Sequence, residues 1–420
     1  MHKQADIVLL SPPFYRFMGS HNDKIPMSLT YLSAYLEDAD ISHVVYNADY
    51  TGSSLYWSLK WMCENYDTYV DAVDGKGSLY GEVMEQVLSF NPKMVVIMGG
   101  EPLVATAEWG NPFIAANYAK LLRQRGVYTV GLGPFFTLDQ ERFLPDFDCI
   151  LGGEPSDAIV DVFHKRPAGM LSFGLNGLDI MPSLDHLFPA AQKTNWAMTS
   201  FGCPFNCSFC MNAALYGSLA EPVRYIDADT AAKDLARRQA DNIYLADLNF
   251  PVASTERIQK LLTAFNNVSL NKTFTIDARV DCITEGKAEL MKEIGITSVK
   301  LGVESLKQSN LDSWKKRITL QQTESAIRML QQQNIDVIFY LLIGAGTTED
   351  DYMATRDFVE KWQPSFIVPN VHAYDMASDY RYDTEFSPLR LKELGIPREL
   401  FYRFLDLQSS VNPTVGKIIG

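Results

Sequence analysis

The stretch that decides the fold is Ser200-Phe201-Gly202-Cys203-Pro204-Phe205-Asn206-Cys207-Ser208-Phe209-Cys210, which follows a strand-like run over 195–200. It places three cysteines at C-x3-C-x2-C spacing within one short loop. Soft thiolates crowded together suit iron–sulfur clusters or zinc. Three thiolates leave one corner of a [4Fe-4S] cube without a protein ligand, and that open iron can bind a substrate.

Zinc and disulfides are the alternatives for this loop. Structural zinc normally closes its tetrahedron with a fourth Cys or His. Here the nearest later cysteine is Cys282, and the nearest histidine, His186, precedes the loop and has no paired partner in sequence. Six cysteines in 420 residues are sparse for a disulfide framework, and no secretory signal is recognised. We therefore predict a metal cluster in a reducing, cytoplasmic setting, with Cys63, Cys149 and Cys282 as buried structural thiols.

Apolar runs alternate with helical stretches along the rest of this half of the chain. Each run ends in polar or glycine residues, as expected where parallel strands present their chemistry on the loops at their carboxyl ends. Counting 195–200 as the first, we predict six strands, the other five over 242–246, 274–278, 298–303, 336–343 and 366–371.

The cysteine loop resembles the signature of the radical S-adenosylmethionine (SAM) superfamily, in which an aromatic residue, here Phe209, stands just before the last cysteine. The resemblance implies an α/β fold, a partial (βα)6 radical SAM barrel. It implies that Cys203, Cys207 and Cys210 hold a [4Fe-4S] cluster and that SAM chelates the free iron. An electron from the cluster would then cleave the SAM sulfonium to a 5′-deoxyadenosyl radical, a species suited to inert carbon.

The same resemblance implies SAM contacts at the strand ends. Arg279 would pair with the SAM carboxylate through its bidentate fork, the alternative being a surface salt bridge. Glu304 and Ser305 would lie beside the SAM amino group or ribose. Asp247 stands where the family usually has Gly-Gly-Glu, so its role as amino-group ligand is the less regular one. Gly344 and Gly346 would let the backbone approach the adenine, although a glycine pair at a strand end is often only a turn.

The first 170 residues show a separate alternation of strands and helices. Apolar runs over 7–10, 44–46, 94–98, 127–130 and 148–151 predict five strands. Helical patterns lie between them, over 27–37, 57–61, 82–88 and 111–125. The pattern predicts a five-stranded doubly wound sheet, and such sheets bind ligands at the carboxyl ends of their strands.

Glycines follow three of these strands, and together with Pro26-Met27-Ser28 this region resembles the cobalamin-binding domain that precedes the barrel in the B12-dependent branch of the superfamily. A Rossmann or flavodoxin-like fold is implied. The chain lacks the Asp-x-His-x-x-Gly motif that gives histidine to cobalt in many B12 domains, as do many members of this branch, and we interpret His21 as a loop histidine. The cobalamin contacts implied are Pro26, Met27, Ser28, Gly99, Gly100, Gly131, Gly133, Gly152, Gly153 and Glu154.

Composition is typical of a two-domain enzyme, because 420 residues exceed what one core usually organises. We predict a cobalamin-binding-type domain over 1–165, a linker over 166–194, the barrel over 195–373 and a C-terminal capping segment over 374–420. Lys and Arg number 37 against 51 Asp and Glu, a net charge of −14, which argues against extended nucleic-acid contact. No apolar run is long enough to predict a membrane span.

The function that follows is that of a cobalamin-dependent radical SAM enzyme acting on a small molecule. The resemblance implies methylation of a carbon, with one SAM supplying the methyl group through cobalamin and another supplying the radical. An external one-electron reductant such as flavodoxin or ferredoxin is expected. The same radical could instead serve cyclisation, ring rearrangement or dehydrogenation, with cobalamin as helper or absent. A third interpretation, from another class, is a non-catalytic iron–sulfur electron carrier.

Overall fold

A computed structural model describes residues 4–19, 24–52, 59–104, 111–172, 180–192, 194–216, 223–371, 380–382 and 387–412. They divide into two compact units. The first is drawn from Met1–Leu55 and Asp67–Thr194, and the second from Tyr56–Tyr66 and Asn195–Ile419. His21, the first two residues of the predicted helix over 57–61 and most of the first part of the predicted capping segment, over 374–386, lie outside the described residues.

The first unit is built on a parallel sheet of seven strands. The strand order is β6-β5-β4-β3-β1-β2-β7. Because the chain leaves β1 toward β2 on one side and later returns to β3 on the other, the sheet has the switch point of a flavodoxin-like fold. The strands are β1 (Ile7–Ser11), β2 (His43–Asn47), β3 (Met94–Met98), β4 (Tyr128–Leu132), β5 (Cys149–Gly152), β6 (Gly169–Ser172) and β7 (Leu187–Phe188).

The five predicted strands are confirmed as β1 to β5, and the doubly wound class with them. The sheet differs from the prediction at its two edges, where β6 and β7 come from the stretch 166–194 that we interpreted as a linker. Both edge strands are short, of four and two residues, and lie among Pro and Gly turn signals. Such short strands carry too little alternation to be recognised by pattern.

Helices cover this sheet because strands of a parallel sheet are buried on both faces, and β1 and β3 are buried along their whole length. The start of helix α5 (Pro112–Arg123) is fixed by its sequence. Asn111 caps the helix by accepting from the Phe113 N–H, and proline follows at the first helical position. The helices of this part are α1 (Met27–Asp38), α3 (Tyr66–Val73), α4 (Leu79–Ser89), α5 (Pro112–Arg123), α6 (Pro134–Leu138), α7 (Gln140–Phe143) and α8 (Ala158–Lys165).

The second unit is a curved sheet of six parallel strands in the order β15-β14-β13-β12-β11-β8, as predicted for a partial (βα)6 barrel. The strands are β8 (Trp196–Ala197), β11 (Asn242–Leu245), β12 (Thr273–Arg279), β13 (Ile296–Glu304), β14 (Asp336–Ile343) and β15 (Phe366–Val371). The predicted first strand over 195–200 is divided, since β9 (Ser200–Phe201) leaves the barrel sheet and pairs antiparallel with β10 (Arg224–Tyr225).

Burial alternates along the barrel strands, so each strand sends every second side chain toward the inside. In β13 the residues Val299, Leu301 and Val303 are buried under the outer helices, whereas Lys300 and Glu304 on the opposite face are partly accessible. Strand β14 shows the same alternation. The inside of the barrel is therefore the accessible face, and its upper rim is formed by the carboxyl ends of the strands.

The outer layer of this unit is helical, and side-chain caps define several helix starts. Thr319 and Gln322 form a capping box at the start of α14, and Ser254 caps α11. The helices are α2 (Leu59–Glu64), α9 (Met211–Tyr216), α10 (Ala228–Arg237), α11 (Thr255–Asn267), α12 (Glu285–Glu293), α13 (Gln308–Ser313), α14 (Leu320–Gln332), α15 (Glu349–Trp362), α16 (Pro388–Glu393) and α17 (Arg398–Val411).

Helix α17 packs against β15, the edge strand of the barrel, and Gln408 donates a buried hydrogen bond of 2.9 Å to the Ile367 carbonyl. It also contacts α2, where Lys60 and Asp406 form an ion pair of 3.0 Å. The segment after the barrel thus packs on its outer edge. Among the described residues no helix has the length and apolar character needed to cross a membrane.

Candidate active site

The cysteine loop follows β9 at the rim of the barrel. Cys207 is buried, and Cys203 and Cys210 are partly exposed. The loop is held by backbone contacts: the Cys210 N–H donates to the Cys207 carbonyl, and the Ser208 N–H donates across the rim to the Trp314 carbonyl, at 3.0 Å. The three thiols therefore sit in a fixed loop, with their nearest neighbours coming from the ends of other barrel strands.

Burial raises the pKa of the Cys203 thiol to about 11, partly offset by the Phe205 backbone N–H, and it raises the pKa of Cys207 as well. At Cys207 the cationic groups of Lys316 and Arg279 act in the opposite direction. A cluster held by three thiolates is an anion, so two cations beside one ligand fit it. In the described part of the chain, no three metal-ligating side chains surround a point where a single metal ion could bind. A [4Fe-4S] cube does not require such a point, because each of its cysteines binds a different iron.

Arg279 lies at the end of β12 and is 6% exposed, and each of its three side-chain nitrogens donates at least one hydrogen bond. Its Nη1 donates to Cys207 Sγ at 3.1 Å, and Nη2 donates to the Lys316 carbonyl at 2.7 Å. Nε and Nη2 also form a fork on the Asp281 carboxylate, both at 3.0 Å. The guanidinium stands 3.8 Å from the centre of the Phe205 ring. Neither a surface salt bridge nor a free fork facing SAM describes this side chain.

Glu304 ends β13 and is paired with Lys316, the two atoms Oε1 and Nζ being 2.6 Å apart. The side chains are 12% and 5% exposed. Glu304 has a positive φ of 61° beside a register shift in the strand, a strained conformation for a residue with a side chain. Gly302 makes the pair possible, because a Cβ there would lie 2.7 Å from Glu304 Oε1 and 2.8 Å from Lys316 Nζ.

Ser305 has a local role, since its Oγ accepts from the Lys307 N–H and the Asn310 amide at the start of α13. Phe209 meets the Trp314 ring edge-on, with centroids 6.2 Å apart, and Lys316 Nζ lies 5.6 Å from the Phe209 centroid. The predicted SAM residue Ser305 thus accepts two hydrogen bonds within its own turn. Phe209 belongs to the packing that fixes the cysteine loop.

Asp247, which we predicted as a ligand of the SAM amino group, has its carboxylate hydrogen-bonded to Thr199 and Ser200 in this structure. It is 1% exposed and accepts from the Thr199 N–H at 2.6 Å, from Thr199 Oγ1 at 2.5 Å and from Ser200 Oγ at 2.8 Å. Burial raises its pKa, and these hydrogen bonds lower it in part. Asp247 therefore anchors the strand residues immediately before the cysteine loop.

The two predicted adenine glycines also differ from each other. A Cβ on Gly344 would lie 2.7 Å from the Trp314 ring, so this glycine makes room for Trp314. Gly346 has a φ of +80° with nothing within 4 Å of a Cβ position, which is the geometry of an open turn. Of the two, Gly346 alone leaves space at the rim.

Inside the barrel, below the rim, side chains from four neighbouring strands form a polar band, defined by Tyr244, Asp277, Lys300 and Tyr340. The Tyr244 hydroxyl donates to the Asp277 carboxylate. Lys300 Nζ lies 3.7 Å from the centre of the Tyr244 ring and 5.9 Å from that of Tyr340. All four residues are partly accessible. The inner wall near the cysteine loop is therefore charged and hydrogen-bonding rather than purely apolar.

In the first unit, other parts of the chain pack closely beside three of the strand-end glycines. A Cβ on Gly99 would lie 2.5 Å from the Phe136 ring, and one on Gly131 would lie 3.1 Å from it. Gly133 has a φ of +158°, and a Cβ there would lie 2.4 Å from the Gly99 carbonyl oxygen. Phe136, on α6, is fully buried. Gly99 and Gly131 therefore leave room for Phe136 of α6, and Gly133 lets the chain pass close to the Gly99 carbonyl, while their contact with cobalamin stays a prediction.

The start of α1 is likewise occupied. Ser28 donates through both its N–H and its hydroxyl to the carboxylate of Glu101, which is fully buried beyond Gly100 and also accepts from the Leu103 N–H at 3.3 Å. Desolvation raises the pKa of Glu101 to about 7, and the Ser28 contacts lower it in part. Pro26, Met27 and Ser28, predicted to contact cobalamin, are all buried, and Ser28 contacts this carboxylate directly.

The last predicted strand end meets α6 as well. The Gly153 N–H donates a hydrogen bond of 3.0 Å to Thr137 Oγ1, so in this structure it is bonded to α6. Gly152 closes β5, and Glu154 is 5% exposed. A second buried carboxylate, Asp49, accepts from the N–H groups of residues 14–16. The strand ends of the first unit are thus closed by α6 and by two internal carboxylates.

Comparison with known proteins agrees with the barrel geometry. Residues 198–359 match the model of the Radical SAM superfamily. The anaerobic magnesium-protoporphyrin IX monomethyl ester cyclase of Rubrivivax gelatinosus is 24% identical over 326 residues, 74% of this chain and 55% of the relative. The hopanoid C-3 methylase of Methylococcus capsulatus is 22% identical over 221 residues, 51% of this chain and 39% of the relative. The chain thus spans about half the length of these curated relatives or less.

Among solved structures, the radical SAM methyltransferase TsrM from Kitasatospora setae, determined with cobalamin and a [4Fe-4S] cluster, superposes with a TM-score of 0.59. The sequences are 14% identical, and the match covers 88% of this chain and 72% of TsrM. The barrel is therefore a radical SAM domain, a class that requires a [4Fe-4S] cluster and SAM. The match to the Radical SAM superfamily covers residues 198–359, and the fold resembles that of the cobalamin-bound methyltransferase TsrM.

Three residues beside the cysteine loop escaped sequence reasoning. Lys316 and Trp314 come from the run Trp314-Lys315-Lys316-Arg317, whose alternation of buried and exposed residues is set by positive φ at Lys315 and Arg317. Asn249 is 1% exposed and accepts from the Arg279 N–H at 3.0 Å, joining two strand ends. No motif marks these residues; only position after a strand end could have pointed to Asn249.

Proposed function

We propose that this chain is a radical SAM enzyme that reductively cleaves SAM to a 5′-deoxyadenosyl radical and uses it to methylate a carbon of a small molecule, with cobalamin as a further cofactor. The observation that carries the radical part is the loop of three thiols at the barrel rim, with Arg279 and Lys316 beside Cys207. Both cations favour an anionic cluster there.

The chain's own residues divide the work at the rim. Cys203, Cys207 and Cys210 would hold three irons, and a bound cluster would supply the electron that breaks the sulfonium bond. Lys316 and Glu304 present a cation and a carboxylate side by side, which complements the carboxylate and ammonium of the methionyl part of SAM. This pair, rather than Arg279 and Asp247, is the one we propose for that part of SAM.

Cobalamin is supported by the fold, which resembles TsrM over most of the chain. The individual contacts we predicted in the first unit stay predictions, and the structure places Phe136 beside Gly99 and Gly131 and Glu101 at the start of α1. The cofactor proposal therefore rests on the fold alone, and we assign no step to it. A direct test is anaerobic reconstitution with hydroxocobalamin, followed by a cobalt count after desalting.

The substrate class follows from the inside of the barrel. The polar band offers a cation, a carboxylate and two phenols to a ligand entering from the rim. These groups interact with one another, and a ligand with polar groups can join such a network, whereas a bare hydrocarbon cannot. We therefore propose a substrate with polar or charged groups. An external one-electron carrier of the flavodoxin or ferredoxin type would supply the electron.

The decisive experiment compares iron, sulfide and deoxyadenosine in the wild type and Cys207→Ala after anaerobic reconstitution and reduction with titanium(III) citrate and SAM. Cys207→Ala is expected to lose the intact cluster and deoxyadenosine formation. Cys282→Ser is the matched control, because Cys282 lies outside the loop and contacts Asn249. Deoxyadenosine formation that persists in Cys207→Ala, or is absent from a wild type with full iron, would overturn the radical assignment.

The second candidate is ring formation or dehydrogenation without methyl transfer, favoured by the match to a cyclase over 74% of this chain. SAM labelled in its methyl group separates the two. Label appearing in product indicates methylation; deoxyadenosine with unlabelled product indicates the alternative. A wild type that retains no cobalt while forming deoxyadenosine would also favour the alternative.

A further inference from the structure

Arg279 is tied to the cluster ligands rather than open to a substrate. Its Nη1 contacts Cys207 Sγ at 3.1 Å, while Nε and Nη2 bond to Asp281 and to the Lys316 carbonyl. An N–H donated to a ligating sulfur withdraws charge from the cluster, and hydrogen bonds to the sulfurs are among the factors that set its potential.

The side chain is fixed from three directions, so this contact does not depend on a mobile arginine. Asp281 holds one edge through two hydrogen bonds of 3.0 Å, the Lys316 carbonyl accepts from Nη2 at 2.7 Å, and the Phe205 ring lies 3.8 Å away. Phe205 belongs to the cysteine loop itself. The arginine is thus clamped to the loop that carries the cluster ligands.

We propose that Arg279 is a positioning residue for the cluster, which raises its midpoint potential through the hydrogen bond and the positive charge at Cys207 and does not bind the SAM carboxylate. The inference rests on the proposed function, since it requires a cluster at the three cysteines. Reduction adds an electron to an already anionic group, so a fixed cation stabilises the reduced state more than the oxidised state.

The test is a potentiometric titration of the reconstituted full chain, followed by the electron paramagnetic resonance signal of the reduced cluster in the absence of SAM. For Arg279→Gln we expect the equilibrium constant for one-electron reduction to fall about tenfold, a shift of about 59 mV to more negative potential. Arg279→Lys keeps the charge and loses the planar fork, so a smaller shift in the same direction is expected.

Arg257→Gln is the matched control. Arg257 is also a half-buried barrel arginine that donates to backbone carbonyls, those of Thr199 and Ile226, and it stands over the Tyr225 ring. In its described contacts it meets no cysteine, so its loss should leave the midpoint potential unchanged. SAM affinity, measured by equilibrium dialysis, is expected to change less in Arg279→Gln than the redox equilibrium constant does.

The outcomes are distinct. A wild type without a cluster would overturn the proposed function itself. A full cluster in Arg279→Gln with an unchanged potential and a large loss of SAM affinity would overturn this inference alone and restore the SAM-carboxylate role. Equal shifts in Arg279→Gln and Arg257→Gln would also overturn it, as would loss of the cluster in both Arg279 variants with retention in Arg257→Gln, which would indicate a role in assembly.

Discussion

Lys316 Nζ lies 2.6 Å from Glu304 Oε1, and the two side chains are nearly removed from solvent. A buried ion pair of this kind adds little stability compared with apolar side chains of similar volume. Removing one partner is costly, however, because the other charge is left uncompensated. The pair joins the end of β13 to the segment that follows α13. It therefore affects both stability and any charged group bound at the rim.

Glu304→Gln is expected to lower the free energy of unfolding by about 3 kcal/mol, because the Lys316 ammonium loses its counter-charge in a buried setting. The double variant Glu304→Gln/Lys316→Met should recover part of that loss, and both should bind SAM more weakly. Denaturant unfolding and equilibrium dialysis measure the two effects. A double variant less stable than Glu304→Gln would contradict the ion-pair explanation.

Gly302→Ala tests the space that the pair requires. The added Cβ would stand under 3 Å from both charged atoms, so the buried pair must shift, at a cost of about 1–3 kcal/mol. Gly286→Ala is the control, because that glycine lies in α12 with nothing within 4 Å of a Cβ position. The control should stabilise the protein by about 0.5–1 kcal/mol through helix propensity. Similar effects at the two sites would argue against crowding at Gly302.

Asp247→Asn is expected to reduce the iron retained per chain after reconstitution, because one amide oxygen cannot accept all three donors from Thr199 and Ser200. The cysteine loop begins directly after these residues, so it should lose order. Asp241→Asn, an exposed change at the start of β11, should retain wild-type iron. If Asp247→Asn keeps its iron but binds SAM poorly, the originally predicted ligand role gains support.

The strand positions and the cysteine loop could be predicted because their signals are local. Apolar runs of three to eight residues marked the strands, and the spacing of three cysteines marked the loop. Contacts made by the strand ends could not be predicted in the same way. A glycine at a strand end looks the same in the sequence whether a cofactor or Phe136 packs beside it, as at Gly99 and Gly131. Helix α6, which carries Phe136, lies tens of residues after Gly99, so no local pattern links the two.

Partners of buried charges show the same limit. Arg279, Asp247 and Glu304 were recognised as strand-end residues, but whether each faces a ligand or another side chain depends on tertiary packing. Lys316 was missed because its burial is set by the left-handed backbone on either side of it, at Lys315 and Arg317. Such conformations in bulky residues have no reliable local signal.

Gly99→Ala is expected to destabilise the first unit by about 1–3 kcal/mol, since its Cβ would meet the Phe136 ring at 2.5 Å. Phe136→Leu replaces the ring with a smaller side chain and creates room. The double variant should therefore lose less stability than the summed losses of the two single variants. A double-mutant cycle from denaturant unfolding measures this coupling. Strictly additive costs would indicate that Gly99 and Phe136 do not share the space.

Glu101→Gln should change the pH dependence of stability. Burial raises the Glu101 pKa from 4.5 to about 7, so between these values the folded state holds a proton that the unfolded state has lost. The free energy of unfolding therefore falls as pH rises through this window, by about 3 kcal/mol in total, and levels off above it. Glutamine resembles the protonated acid, so the variant should match the wild type near pH 4.5 and exceed its stability at pH 8.

The measurement is the difference between the two unfolding free energies across this pH range, which cancels groups common to both proteins. Asp49, whose pKa is raised to about 6 by burial, is one such group. Because Ser28 holds the carboxylate at the start of α1, amide exchange in α1 should follow the same pH dependence in the wild type and lose it in Glu101→Gln. A pH-independent difference would show that Glu101 is ionised in the folded state throughout, with the Ser28 and Leu103 hydrogen bonds outweighing its desolvation.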